Sequence, residues 1–352
     1  WCRPAAHLVY VLLNLLFYRH FTQIHCPSKF IAVQLRKHGY RQWLHVISNG
    51  VHPDFKPADN IEMTEGQAQA NKSKQMGDGK LYRILMVGRL SPEKRQDVLI
   101  RAAALSRHAA GIQLIFAGCG PRESRLREMG NQLPRPPIFC FLDKSRLIGL
   151  MQSCDLYVHA SDVEIEGISC LEAISCGLVP VISDSRMSAT AQFALSTENL
   201  FQSGKPQQRA ERIDYWLENP ELIIQARQEY RQFIRQYDLD SSIRRIEAVY
   251  DRLSHQKEAV NPYLEGSLFR GLSRFFYSVL AIPLLYVWSR AALGTKIIGA
   301  KNMRGLKGSL TVCNHVHSLD SVLVALAAFP RKMVFPTRSE ERRVGKECRS
   351  RW

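Results

Sequence analysis

Little in this chain points to a metal site or a disulfide framework. Its nine cysteines are scattered, with no CxxC pair and no zinc-ligand spacing. They read as reduced thiols of a cytoplasmic protein. There is no internal repeat and no low-complexity tract, which sets aside a repeat array. Long apolar runs are also lacking. "AAHLVYVLLNLLFYRH" has neither the basic leader nor the small-residue cleavage site of a signal peptide, and reads as a buried helix. Phe275 to Trp288 gives fourteen residues without charge, interrupted by Pro283. A bilayer span needs about 20. Aromatic ends and flanking Arg274 and Arg290 suit a helix lying in a membrane interface; a buried core helix is the alternative. Acidic excess is absent as well, and the formal net charge is +16. Such a balance suits an anionic partner: nucleic acid, anionic lipid or a phosphorylated substrate. The charge is spread out, with no basic motif interleaved with aromatics, so no nucleic-acid partner is expected.

The length, 352 residues, predicts about two domains, and the ordinary apolar content argues against disorder. The chain opens on Trp1 rather than Met, and the expectation is that it starts inside a gene. Its last fifteen residues, "RSEERRVGKECRSRW", show no apolar period and carry six Lys+Arg against three Glu. They resemble the translation of a sequencing-library adapter and are set aside from fold reasoning.

What is present is alternation. The runs "YRILMVG", "IQLIFAG", "PIFCFL", "DLYVHA" and "VPVIS" read as buried strands. Helical stretches lie between them: Lys94 to Ser106, Pro121 to Met129, Lys144 to Ser153 and Cys170 to Cys176. Near-continuous apolar strands alternating with helices predict an α/β fold with a doubly wound parallel sheet. Its ligands would bind at the carboxyl ends of the strands. Earlier, "TQIHCPS" and "HVISNGV" flank a helix, Lys29 to His38, and look like the end of another α/β unit. Gln208 to Gln256 reads as charged helix.

Two groups of residues carry chemistry within the alternating region. "VGRLSPEK" leaves a strand at Gly88 and places Arg89 and Lys94 at the start of the next helix. A glycine lets backbone approach a ligand, a helix N-terminus favours anions, and Arg and Lys bind phosphate. In "EIEGISCLEAISCG", Gly167, Ile168 and Ser169 form the turn into a helix whose free N–H groups suit a phosphate. Glu164 precedes that turn and Glu172 falls in the first turn of the helix. The two acids are either a helix-capping acid with a solvated one, or two carboxylates around one anion site.

In their order, "SNGV", "VGRLSPEK", "FAGCGP" and "DLYVHASDVEIEGISCLEAISCGLVPVISDS" resemble the retaining glycosyltransferases of the two-Rossmann GT-B class. The resemblance covers roughly residues 20 to 255. It implies that Arg89 and Lys94 neutralise a nucleotide-sugar diphosphate, that Glu164 contacts the sugar and Glu172 the ribose, and that Gly167 to Ser169 hold phosphate. The protein then supplies the positive charge, and no metal or other cofactor is needed. Arg95 stands where the family usually has Gly, and His52 where it often has Asp. Most of the family's amino-terminal domain is missing, so an acceptor-side remnant is expected.

Downstream, "TKIIGAKNMRGLKGSLTVCNHVHSLDSVLVALAAFP" resembles the opening of the lysophosphatidic-acid acyltransferases. That implies His315 as the base that deprotonates the acceptor hydroxyl and Asp320 as its orienting carboxylate. His317 has no assigned role. The expected division is 1–55, remnant of the first Rossmann domain; 56–80, polar loop; 81–256, donor-binding domain; 257–267, linker; 268–337, truncated acyltransferase; 338–352, adapter-like tail. The reading is of a fragment of a bifunctional enzyme, peripheral on the inner face of the cell membrane, with a lipid acceptor such as diacylglycerol. A polysaccharide-assembly glycosyltransferase is the alternative.

Overall fold

The structure, a computed structural model, describes Val11, residues 21–58 and 80–255, Phe275, Val279 and residues 282–294. His315, Asp320, most of the apolar stretch near the start and the adapter-like tail lie outside the described residues. The chain divides into two compact units, with the break after His255.

The first unit begins with β1 (Gln23–Cys26), α1 (Lys29–Lys37) and β2 (Trp43–Val46). The two strands pair in parallel, Gln23 opposite Trp43. Next come β3 (Tyr82–Val87), α2 (Gln96–Leu105), β4 (Ile112–Ala117), α3 (Glu123–Gly130), β5 (Ile138–Cys140), α4 (Lys144–Gln152) and β6 (Leu156–His159). They are followed by β7 (Val163–Glu164), α5 (Ile168–Ser175), β8 (Pro180–Asp184), β9 (Met187–Ser188) and β10 (Leu200–Gln202). Helices α6 (Pro206–Glu218), α7 (Pro220–Phe233) and α8 (Leu239–His255) complete the unit.

Six strands form one parallel sheet in the order β10-β8-β6-β3-β4-β5. Counted from β3, this is the 3-2-1-4-5-6 order of doubly wound dinucleotide-type sheets. The apolar runs are buried because both faces are covered: Ile84, Leu85, Leu114, Phe116, Leu156, Val158, Val181 and Ile182 are inaccessible to solvent. The direction in which successive strands are added reverses between β3 and β6. The carboxyl ends of those two strands therefore open a crevice that neither connection crosses.

Three local expectations need correction. The helix expected from Lys94 starts at Gln96, because Pro92–Lys94 is a single 3-10 turn and Arg95 takes a left-handed φ of 55°. Glu172 is the fifth residue of α5, past its first turn. The expected helix from Gln208 to Gln256 is broken into three. Pro220 cannot continue a helix, and it pushes Asn219 out of the helical region (φ −120°, ψ 68°). The two-residue strands β7 and β9 were not anticipated, nor was β10; each is too short to show a period.

In the second unit, α9 (Ile282–Leu293) carries Pro283 in its first turn, where proline is tolerated. Leu284, Tyr286 and Val287 on it are exposed. Among the described residues, no helix is long and apolar enough to cross a membrane.

Candidate functional site

The crevice at the switch point is lined by backbone that comes unusually close. Gly88 follows β3 and Gly118 follows β4. The Gly88 N–H donates to the Ala117 carbonyl at 3.0 Å. Gly118 has φ 155°, and a Cβ on it would sit 2.0 Å from the Gly88 carbonyl oxygen. No side chain fits there. Arg89, next in the chain, is exposed.

Lys94 reaches from its turn to the other side of the crevice, where its Nζ donates to Glu164 Oε1. The turn is held by its neighbours. Arg95 Nη1 donates to Asp162 Oδ2 at 2.6 Å, and the Asp162 N–H donates to the Glu93 carbonyl at 2.8 Å. Asp162 is fixed in turn by the Ser203 hydroxyl on Oδ1 at 2.6 Å.

Glu164 is only 5% exposed and lies on β7, one strand residue past the loop that leaves β6. Its Oε1 has a second partner, His159 Nε2 at 3.1 Å. Burial alone would raise its pKa. The hydrogen bond and charge of His159, with the Lys94 ammonium, outweigh burial and bring it down to about 2. The carboxyl is thus ionised at neutral pH, and the pair with Lys94 is a neutralised cation at the mouth of a helix N-terminus.

That N-terminus belongs to α5. Gly167 caps it with φ 89°, and no side chain caps it. A Cβ on Gly167 would meet Thr190 Cγ2 at 2.2 Å, so the turn into the helix requires glycine. Ile168 and Ser169 open the helix. The Ser169 hydroxyl lies 3.2 Å from Tyr157 OH, which lies 3.2 Å from His159 Nδ1. Glu172 sits further along α5 and is buried, 5% exposed.

The structure therefore brings Lys94 and Glu164 into direct contact and joins Ser169 to them through Tyr157 and His159. Those two connecting residues escaped the sequence reading. The available signal was a lone histidine inside the otherwise apolar strand "DLYVHA". Glu166 was also missed. It is 2% exposed and accepts from the Ser48 hydroxyl, from Asn49 Nδ2 at 2.7 Å and from the Asn49 N–H at 3.2 Å. Burial pushes its pKa up, and those hydrogen bonds oppose the rise. The Ser28 hydroxyl donates to the Ile165 carbonyl at 2.6 Å. The loop that carries Glu164 is thus tied to the β1–β2 segment. Among the described residues there is no group of three or more His, Cys, Asp or Glu arranged to hold a metal.

A crevice at the switch point of a parallel sheet, with an ammonium, a carboxylate and a helix N-terminus around it, is an arrangement that suits an anion. The fold matches that of GT-B glycosyltransferases. Anabaena Alr3699/HepE, solved in complex with UDP and glucose, superposes with a TM-score of 0.57 at 20% identity, over 69% of this chain and 66% of that one. Residues 68–236 match the family model of the glycosyl transferases group 1. The chain is 31% identical over 141 residues to a GDP-mannose-dependent alpha-(1-6)-phosphatidylinositol dimannoside mannosyltransferase of Mycobacterium tuberculosis, covering 39% of this chain and 36% of that protein. It is 30% identical over 142 residues to the phosphatidylinositol N-acetylglucosaminyltransferase GPI3 subunit of Saccharomyces cerevisiae, covering 39% of this chain and 29% of that protein. The chain spans about a third of the length of these curated relatives. The catalytic domain of cholesterol-alpha-glucosyltransferase from Helicobacter pylori is 42% identical over 44% of this chain and 98% of that one, with a TM-score of 0.43.

Proposed function

We propose that the crevice binds a nucleotide-sugar and that the protein transfers the sugar to a lipid acceptor. The observation that carries this is the Lys94–Glu164 pair beside the bare N-terminus of α5. On this reading the diphosphate lies against the N–H groups of Gly167, Ile168 and Ser169. Lys94 and Arg89 neutralise it, so the leaving group departs without needing a metal ion. Glu164 then faces the sugar, and Glu172 the ribose. A retaining outcome belongs to the same reading. The lipid acceptor is supported by the phosphatidylinositol relatives. Calorimetric titration of the chain with GDP-mannose and UDP-glucose tests the donor site. Lys94→Ala and Glu172→Ala should each weaken binding by about 1–3 kcal/mol, as for a lost charge-assisted hydrogen bond. Unchanged affinity in both variants would remove the assignment.

We further propose a second activity for residues 268–337, which rests on the "NHVHSLD" motif alone. There His315 would act as the base and Asp320 would orient it, moving an acyl group from a thioester to a lysophosphatidic acid. Acyl transfer by a chain extended downstream, persisting in a His315→Ala variant, would refute it. The exposed apolar residues of α9 support a place at an anionic membrane surface.

A further inference from the structure

We infer that His159, oriented by Tyr157, is a positioning residue that holds the Glu164 carboxylate in place when Lys94 turns to a diphosphate; this rests on the donor-site reading above. Lys94 and His159 both donate to Oε1 of Glu164, but they differ in freedom. Lys94 has a flexible four-carbon stem and is 18% exposed. His159 stands on the central strand β6 and is 1% exposed. A lysine that reaches for phosphate leaves the carboxylate, and a buried carboxylate without a donor is strongly disfavoured. His159 is the donor that stays.

The carboxylate also fixes a hydrogen on one ring nitrogen. An ionised carboxylate only accepts, so Nε2 must bear hydrogen. The group 3.2 Å from Nδ1 is the Tyr157 hydroxyl. Tyr157 OH in turn donates to Ser169 Oγ, 3.2 Å away. A histidine serving only the core needs no second side-chain partner; one partner carbonyl would satisfy it. Here both ring nitrogens meet side chains, and one of these is the carboxylate that Lys94 shares. With both donors on Oε1, Oε2 is left to meet a sugar hydroxyl.

The test compares ligands with and without the sugar on the whole chain: GDP against GDP-mannose and UDP against UDP-glucose, by calorimetry. His159→Leu should lose about tenfold in affinity for the sugar-bearing ligand, as for one hydrogen bond to a charged group, with little loss for the bare diphosphate. His159→Gln, whose amide N–H takes the place of Nε2–H, should recover most of it. Nitrogen-15 spectra of the imidazole should show hydrogen on Nε2 in the parent chain and a changed Nδ1 signal in Tyr157→Phe. Equal sugar dependence in the parent chain and His159→Leu, with diphosphate binding intact, would overturn the inference and leave the donor site standing. Failure of the parent chain to bind any of the four ligands would refute the donor site itself, and the inference with it. Should His159→Leu fail to fold, unchanged imidazole spectra in Tyr157→Phe would be decisive against the inference.

Discussion

Replacing Glu164 with Gln should uncover a pH-dependent stability that this one carboxylate contributes. Gln has nearly the shape of a protonated Glu and no charge. The Glu164 pKa falls from an ordinary 4.5 to about 2. That fall corresponds to about 3 kcal/mol of native-state stability at neutral pH, at about 1.4 kcal/mol per tenfold in proton affinity. The sign follows from the direction: a depressed carboxyl stabilises above 4.5, and the stability is lost as pH falls toward 2. At pH 3 roughly 2 of the about 3 kcal/mol should be gone. Lys94, still in reach of water, limits the extra cost of removing its partner. Urea unfolding of both chains, followed by far-UV circular dichroism at pH 7, 5, 4 and 3, measures the gap between them. A gap that narrows from about 3 to about 1 kcal/mol supports the geometry. A gap of the same size at every pH would show that Glu164 is not held as a charge by Lys94 and His159.

Arg95→Gly should change stability by less than about 1 kcal/mol, because relief of a left-handed non-glycine residue, worth about 1–2 kcal/mol, offsets the half-exposed Asp162 pair and the freedom glycine gains when unfolded. It should still weaken nucleotide-sugar binding, since Lys94 loses a tether; a loss of more than about 2 kcal/mol in a thermal unfolding assay would contradict the balance. Leu284→Glu with Val287→Glu should reduce flotation of the chain with vesicles containing anionic lipid, and equal flotation would argue against α9 as a membrane contact.

The sheet was legible because its strands are continuous apolar runs, and the five predicted strands are β3, β4, β5, β6 and β8. The helix boundaries were less so. Nothing in "SPEKRQDV" marks Arg95 as left-handed, since that conformation is usually announced by glycine. The candidate site was legible as a set of residue types but not as a set of contacts. Lys94 and Glu164 lie 70 residues apart, and only the adjacency of β3 and β6 brings them together. Glu166 and Asn49 are 117 apart, and no periodicity connects them. A reading by motif assigned Lys94 and Glu164 separate ligand contacts, whereas here each is the other's partner.

That pairing bears on what the crevice can accept. A largely buried ammonium needs a counter-charge, and Glu164 supplies it in this structure. Any ligand that draws Lys94 away must bring negative charge of its own, or the cation is left uncompensated. It must also offer the released carboxylate a donor in place of Lys94, since His159 alone then remains on Oε1. A neutral sugar meets only the second condition, and an inorganic phosphate only the first. A sugar joined to a diphosphate meets both at once, with hydroxyls toward Glu164 and phosphate toward Lys94 and the α5 N-terminus. On the proposed reading, then, the same ion pair that stabilises the site selects for the intact donor over either of its parts.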